Sequence, residues 1–141
     1  MDFGGGAGFL CFDLAKKGFD VDYADVDGQT LNFARHFFLK NKAAVKIINL
    51  SKDKIKSNYD TIICIDVIEH LENQKEVLNL FIKHINSNGV LIITNLDFNK
   101  IDQEQYDKHP MHIPMGFGAK KYLLNNGFRE TKYPWMFIKS K

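Results

Sequence analysis

Asp2-Phe3-Gly4-Gly5-Gly6-Ala7-Gly8 places four glycines within five positions, at the start of a 141-residue chain. Glycine accepts positive φ and lets backbone approach a ligand closely, so such a cluster between an apolar strand and a helix suggests a loop wrapped around a cofactor. Only Met1, Asp2 and Phe3 precede Gly4, whereas a strand at a sheet centre usually has five or six residues. A truncated first strand, or further residues upstream, is therefore expected.

Beyond the loop, Ala7, Leu10, Cys11, Leu14 and Ala15 share one helical face, and Gly18 supplies a stop. Phe9 and Phe12 fall on the opposite, polar face, where a missing N-terminal segment or a partner is expected to cover them. Phe19 to Ala24 reads as a strand turning at Asp25-Val26-Asp27-Gly28. Asp27 is then placed to cap a helix from Gly28 to Leu39 with the stripe Leu31, Ala34 and Phe38. Ala44 to Asn49 is a third strand, and the lysine-rich stretch from Leu50 to Asn58 has no period and reads as loop. Tyr59 to Asp66 is the strongest strand, rich in β-branched residues as a parallel strand covered on both faces should be. Val77, Leu78, Phe81, Ile82 and Ile85 recur at helical spacing, Asn86-Ser87-Asn88-Gly89 ends that helix, and Val90 to Thr94 is a fifth strand. The polar stretch from Asn95 to Pro114 has the length of a functional lid. Ala119 to Leu123 starts a short helix, and two strands flanking Pro134 form a terminal hairpin in which Trp135 and Phe137 are expected in the core.

This alternation predicts an α/β fold with a doubly wound, mostly parallel sheet, helices on both faces and an antiparallel C-terminal hairpin. Ligands of such sheets bind at the carboxyl ends of the strands. The glycine loop, Asp25, Asn49, Asp66 and Asn95 to Asp97 all fall there.

Composition narrows the classes. Hydrophobic residues make up 45% and charged residues 26%, and no apolar run is long enough to cross a bilayer. Nineteen basic side chains oppose seventeen acidic ones, with lysines scattered rather than gathered in a stripe, so nucleic acid is not expected. The start lacks the features of a signal peptide, and Cys11 and Cys64 lie in apolar segments as reduced cysteines do, which favours a cytoplasmic location. No composition shift divides the chain, so one domain over residues 1–141 is expected.

The glycine spacing rejects a dinucleotide fingerprint, whose third glycine would fall at Phe9 or Cys11, and no Gly-Lys-Ser/Thr follows to make a phosphate loop. This disfavours a nicotinamide-dependent oxidoreductase. The acid Asp2 suits a ligand bearing an ammonium or sulfonium better than a pyrophosphate.

Asp2-x-Gly4-x-Gly6-x-Gly8 resembles the first motif of class I S-adenosylmethionine-dependent methyltransferases. Three further segments resemble the same family in order: Asp25 to Arg35, Tyr59 to Leu71, and Asn88-Gly89-Val90-Leu91-Ile92-Ile93. Asp66-Val67-Ile68-Glu69-His70-Leu71 is most similar to the ubiquinone-biosynthesis-type, small-molecule branch, whose usual N-terminal helices this chain is expected to lack. The resemblance implies a Rossmann-like fold of the class I methyltransferase type. It implies S-adenosylmethionine as cofactor and direct methyl displacement onto a small-molecule acceptor. It also implies that Gly4, Gly5, Gly6 and Gly8 meet the methionine part of the cofactor through backbone N–H groups while Asp2 helps hold its ammonium. Asp25 would accept the ribose hydroxyls, Val26 would lie against adenine, and Asp66 would sit beside the methionine moiety. Asn49 or Ser51, with Asp53 further on, stands where the family often has an acid for the adenine amino group.

Simpler roles stand beside these. Asp66 can cap the helix that follows, and Glu69 and His70 can merely open it. His109 and His112 flank Pro110 with no Cys, Asp or Glu at a telling spacing, so no metal is expected. His70, His109 and His112 are the candidates for a general base, because histidine titrates near neutrality. A rival class is a non-catalytic or fragmentary methyltransferase-like module.

Overall fold

The computed structural model describes residues 1–96 and 111–141, which form two compact units divided after Ser57. The lid expected from Asn95 to Pro114, with Asp97 and His109, falls largely outside the described residues.

In the first unit, β1 (Asp2–Phe3), α1 (Phe9–Lys16), β2 (Val21–Asp25), α2 (Gln29–Lys40) and β3 (Val45–Asn49) alternate as expected. β2 pairs in parallel with β1 on one side and β3 on the other, Asp2 opposite Tyr23 and Asp25 opposite Asn49. The first strand is two residues long, as short as the sequence implies. The core is Cys11, Val21, Tyr23, Leu31, Ala34 and Phe38, so the α2 stripe is the one its spacing predicts. Phe12 also packs against this core, its ring 5.0 Å from that of Phe37 and under the Lys16 ammonium. Phe9 stays 58% exposed while meeting Phe33 and Phe37 edge-on. Leu10 is exposed, so of the predicted face of α1 Cys11 is buried while Leu14 and Ala15, like Phe12, are partly buried against the core. Asp27 does not cap α2. Gly28 holds that position without a side-chain hydrogen bond, because Asp27 instead pairs with Lys52 at 2.6 Å and gives its N–H to Ser51 Oγ.

The second unit contains β4 (Tyr59–Cys64), α3 (Gln74–His84), β5 (Ile85–Ile93), α4 (Ala119–Asn125), β6 (Phe128–Glu130) and β7 (Met136–Lys139). β4 and β5 are parallel, β5 and β7 antiparallel, and β6 closes the hairpin on β7. β5 begins earlier than its apolar run suggests. Ile85 already pairs with Tyr59, and the register then jumps to Thr61 opposite Val90 across the turn-like Asn86 to Gly89, with Asn88 at positive φ. Lys139 donates to the carbonyls of Ile82 and Ile85 at 2.6 and 3.2 Å, a cation at the negative end of α3. No helix among the described residues is long and apolar enough to cross a membrane.

Trp135 overturns an expectation. Phe137 is buried at the centre of β7, but Trp135 is 40% exposed. The turn at Pro134 releases it before the strand alternation begins, so it lies at the hairpin tip.

Candidate functional site

In the first unit the glycine loop is built onto the end of β2. Gly4 N–H reaches the Ala24 carbonyl at 2.7 Å, prolonging the strand pairing by one step. Gly6 N–H then donates to Asp25 Oδ2 at 3.0 Å, and Val26 N–H donates to Asp25 Oδ1 at 2.8 Å. The Tyr23 hydroxyl lies 2.7 Å from the Gly6 carbonyl and 3.2 Å from Asp25 Oδ2, bracing loop against strand from beneath. Burial, and after it the Asp25 charge, raises the Tyr23 phenol above its ordinary range, so it remains a donor. An ionised carboxylate offers about four acceptor directions over two oxygens. Asp25, partly exposed at the strand end, therefore keeps acceptor capacity for hydroxyls of a bound molecule.

Two glycines are required by contact. A Cβ on Gly5 would sit 2.7 Å from the buried Tyr23 ring and 3.1 Å from Asp2 Oδ2. Gly8 has φ +81°, and a Cβ there would lie 2.5 Å from Phe38 Cζ.

Asp2 lies under the loop, buried, with Oδ2 accepting from the Cys11 thiol at 3.3 Å. Burial raises its carboxyl pKa, opposed by the Cys11 hydrogen bond and the chain's amino terminus. Burial and the adjacent Asp2 charge raise the Cys11 thiol as well, which leaves it unreactive. Val26 is an exposed apolar side chain just past the strand end. Asn49, buried at the end of β3, accepts the Ser51 N–H on Oδ1 at 3.0 Å, and its own N–H donates to Asp53 Oδ2. Asn49, Ser51 and Asp53, alternatives in the sequence, thus form one hydrogen-bonded turn.

The second unit carries a separate polar cluster at the ends of β4 and β5. Asp66 has φ +54° and does not cap the turn after it, where Val67 holds the cap position without a side-chain bond. Instead its N–H donates to Thr94 Oγ1 at 2.9 Å, and that hydroxyl and the Asn95 amide donate back to Asp66 Oδ1. The Asn95 amide also donates to Glu69 Oε1. Glu69 is 1% exposed, and its Oε2 has no hydrogen-bond partner among the described residues.

Glu69 and His70 lie on a short 3-10 turn, Ile68–His70, separated from α3 rather than opening it. The strap after residue 110 is pinned to this turn. Ile113 N–H donates to the Glu69 carbonyl at 2.6 Å, Gln74 donates to the Ile113 carbonyl at 2.8 Å, and His70 Nδ1 lies 3.2 Å from the Met111 carbonyl. A carbonyl only accepts, so Nδ1 carries a proton and the neutral ring keeps its lone pair on Nε2. The strap brings His112 edge-on to His70, with ring centroids 4.8 Å apart. Glu69, His70 and His112 each offer a ligand atom within 4.8 Å of the others, a donor set that would also suit a divalent cation. No sequence spacing announces this set, because His112 arrives from a distant segment. Glu69, Thr94 and Tyr23 were likewise not marked as site residues by any local pattern.

A family profile described as a methyltransferase domain matches residues 1–91. The ubiquinone biosynthesis O-methyltransferase of Rickettsia canadensis is 35% identical over 100 residues, 69% of this chain and 42% of the relative. Its counterpart in Rickettsia typhi is 33% identical over 71% of this chain and 42% of its own length. The chain thus spans about two fifths of the length of these curated relatives. Among solved structures, magnesium protoporphyrin IX methyltransferase from Synechocystis with bound S-adenosylhomocysteine superposes with a TM-score of 0.68, at 19% identity, over 99% of this chain and 73% of that one. Phosphoethanolamine N-methyltransferase 2 of Haemonchus contortus, in complex with S-adenosylmethionine, gives 0.74 at 17% identity over 92% of this chain and 32% of that one. At these identities the superpositions speak for the fold, a mixed α/β architecture that is mostly parallel with an antiparallel C-terminal hairpin. The profile match over most of the chain settles its kinship: it belongs to the methyltransferase domain family.

Proposed function

We propose that residues 1–141 act as one domain in S-adenosylmethionine-dependent methyl transfer to a hydroxyl of a small molecule. The observation that carries this reading is Asp25, whose carboxylate is tied to both the glycine loop and the following turn while keeping acceptor capacity for a ribose. Gly4, Gly5, Gly6 and Gly8 would face the methionine part, Asp2 would help hold its ammonium, Asp66 would sit beside the methionine moiety, and exposed Val26 would be covered by adenine. Asn49 would read the adenine edge. The cofactor supplies the electrophilic methyl group, and the protein aligns the acceptor oxygen and takes its proton. Oxygen is favoured as the acceptor atom by the likeness to O-methyltransferases.

Calorimetric titration with S-adenosylhomocysteine is expected to give saturable 1:1 binding, and a folded sample that takes up none would reject the reading. Asp25→Asn keeps the volume but replaces one acceptor oxygen by a donor. About a tenfold loss of that affinity is expected, the size of one charged hydrogen bond, on the order of 1.4 kcal/mol.

On the acceptor side, His70 Nε2 is the proposed proton acceptor, with Glu69 beside it to stabilise the imidazolium and His112 packed against the ring. Turnover that survives a chelator supports this assignment. Turnover that is lost in chelator and restored by a divalent cation would reassign the three residues to a cation.

A further inference from the structure

We propose that Asp27 is a positioning residue for the nucleoside half of the cofactor: its N–H and its carboxylate clasp the loop that carries Asp25 and Val26 to the turn after β3. This rests on the methyl-transfer reading, in which Asp25 receives the ribose and Val26 the adenine, and it names what holds those two residues in place.

Asp27 has helix-capping chemistry at the entrance of α2, yet its carboxylate goes to Lys52 at 2.6 Å and α2 starts without a side-chain cap. The Lys52 and Asp27 side chains are 69% and 44% exposed, and a helix cap contributes more to stability than an exposed ion pair does. Fold stability alone therefore does not account for where the carboxylate goes. Its place in the loop does. Three consecutive residues of the turn after β3 hold the β2 loop. Leu50 N–H donates to the Asp25 carbonyl at 2.8 Å, Ser51 Oγ accepts the Asp27 N–H at 2.9 Å, and the Lys52 ammonium meets Asp27 Oδ2. Val26 stands between the two fastened residues, 59% exposed, with its own N–H turned to Asp25 Oδ1. It is the crown of an arch pinned at both feet.

The anchor is itself firm. The Asn49 carbonyl takes the N–H groups of Lys52 and Asp53 at 2.9 and 2.7 Å, Asn49 Oδ1 takes that of Ser51, and Asn49 N–H goes to Asp53 Oδ2. The pairing of Asp25 with Asn49 at the ends of β2 and β3 fixes the register of anchor against arch. An apolar side chain held in this way beside a fixed carboxylate spares a bound nucleoside the cost of ordering the loop. Of the three pins, only the Asp27–Lys52 pair is held by opposite charges, so it can be removed by mutation without touching the backbone bonds, and salt screens it.

The test is calorimetric titration with S-adenosylhomocysteine at ionic strengths of about 0.01 M and about 1 M, where charges are screened over about 30 Å and about 3 Å. Asp27→Asn and Lys52→Met are each expected to weaken binding roughly threefold to fivefold at the lower ionic strength, the reach of an exposed ion pair, and to approach the parent protein at the higher. Asparagine is well suited to a helix entrance, so Asp27→Asn is expected to leave the urea midpoint unlowered. The exchanged pair Asp27→Lys/Lys52→Asp is expected to recover most of the affinity, which a carboxylate touching the cofactor directly would not allow. Single variants that bind as the parent does, or an exchanged pair that recovers nothing, would reject the clasp while saturable binding by the parent still upholds methyl transfer. Amide hydrogen exchange at Val26 and Asp27 reads the arch with no cofactor present, and it is expected to quicken in both single variants and slow again in the exchanged pair. That pattern in a protein that takes up no S-adenosylhomocysteine would uphold the clasp and reject the methyl-transfer reading, whereas unchanged exchange in the single variants would reject the clasp.

Discussion

His70→Ala is expected to lower kcat by about a hundredfold, with the KM for S-adenosylmethionine little changed and part of the rate restored by added imidazole. A hydroxyl that attacks a methyl group must shed its proton, and a positioned base typically contributes about 100- to 10,000-fold to such a step. His70 is proposed as that base on account of its tautomer. The Met111 carbonyl fixes the proton on Nδ1 and leaves Nε2 open on an exposed ring, with the Glu69 carboxylate close by to stabilise the charge that forms. Imidazole rescue separates this role from a structural one, since a collapsed turn would not recover when free imidazole is supplied. Unchanged kcat in the variant would remove His70 from the chemistry and leave His112 as the next candidate.

Gly8→Ala should cost about 2 to 5 kcal/mol of folding stability, read as a drop in the urea midpoint. Two costs combine. Any L residue held at φ +81° incurs about 1 to 2 kcal/mol. The added methyl would also stand 2.5 and 2.9 Å from Phe38 Cζ and Cε1, and overpacking of this kind costs about 1 to 3 kcal/mol. Phe38 is fixed in the first unit's core, edge-on to Tyr23, so it has nowhere to retreat. Gly18→Ala is the control. Gly18 has a similar φ of +86°, but a methyl added there would meet no atom within 4 Å, so only the first cost applies. Equal losses in the two variants would show that Phe38 yields, and the close contact would then not explain the glycine.

Local periodicity made most of the fold legible. The Leu31, Ala34 and Phe38 stripe and the β-branched run of β4 are properties of neighbours along the chain, and both elements formed where the spacing put them. Failures occurred where a distant residue overrode a local preference. Asp27 has the chemistry of a helix cap, but Lys52 and Ser51 claim it, and Lys52 lowers its carboxyl pKa. Trp135 alternates with Phe137 on paper, yet a proline turn ends the alternation between them. The site divides in the same way. Asp25 was recognisable because strand, turn and helix place it, whereas its bond to Gly6 and the bracing by Tyr23 belong to the folded loop. The approach of His112 to His70 depends wholly on a strap docking onto a turn, which no spacing encodes.

The buried thiols bear on motion. Cys11 is sealed in the first unit and Cys64 in the second, and neither is part of a disulfide. Each can react with an external alkylating reagent only when its own surroundings open. The chain thus carries two internal clocks, one per unit. Comparing their labelling rates, with and without S-adenosylhomocysteine, would reveal whether the glycine loop's unit and the His70 unit breathe together or separately.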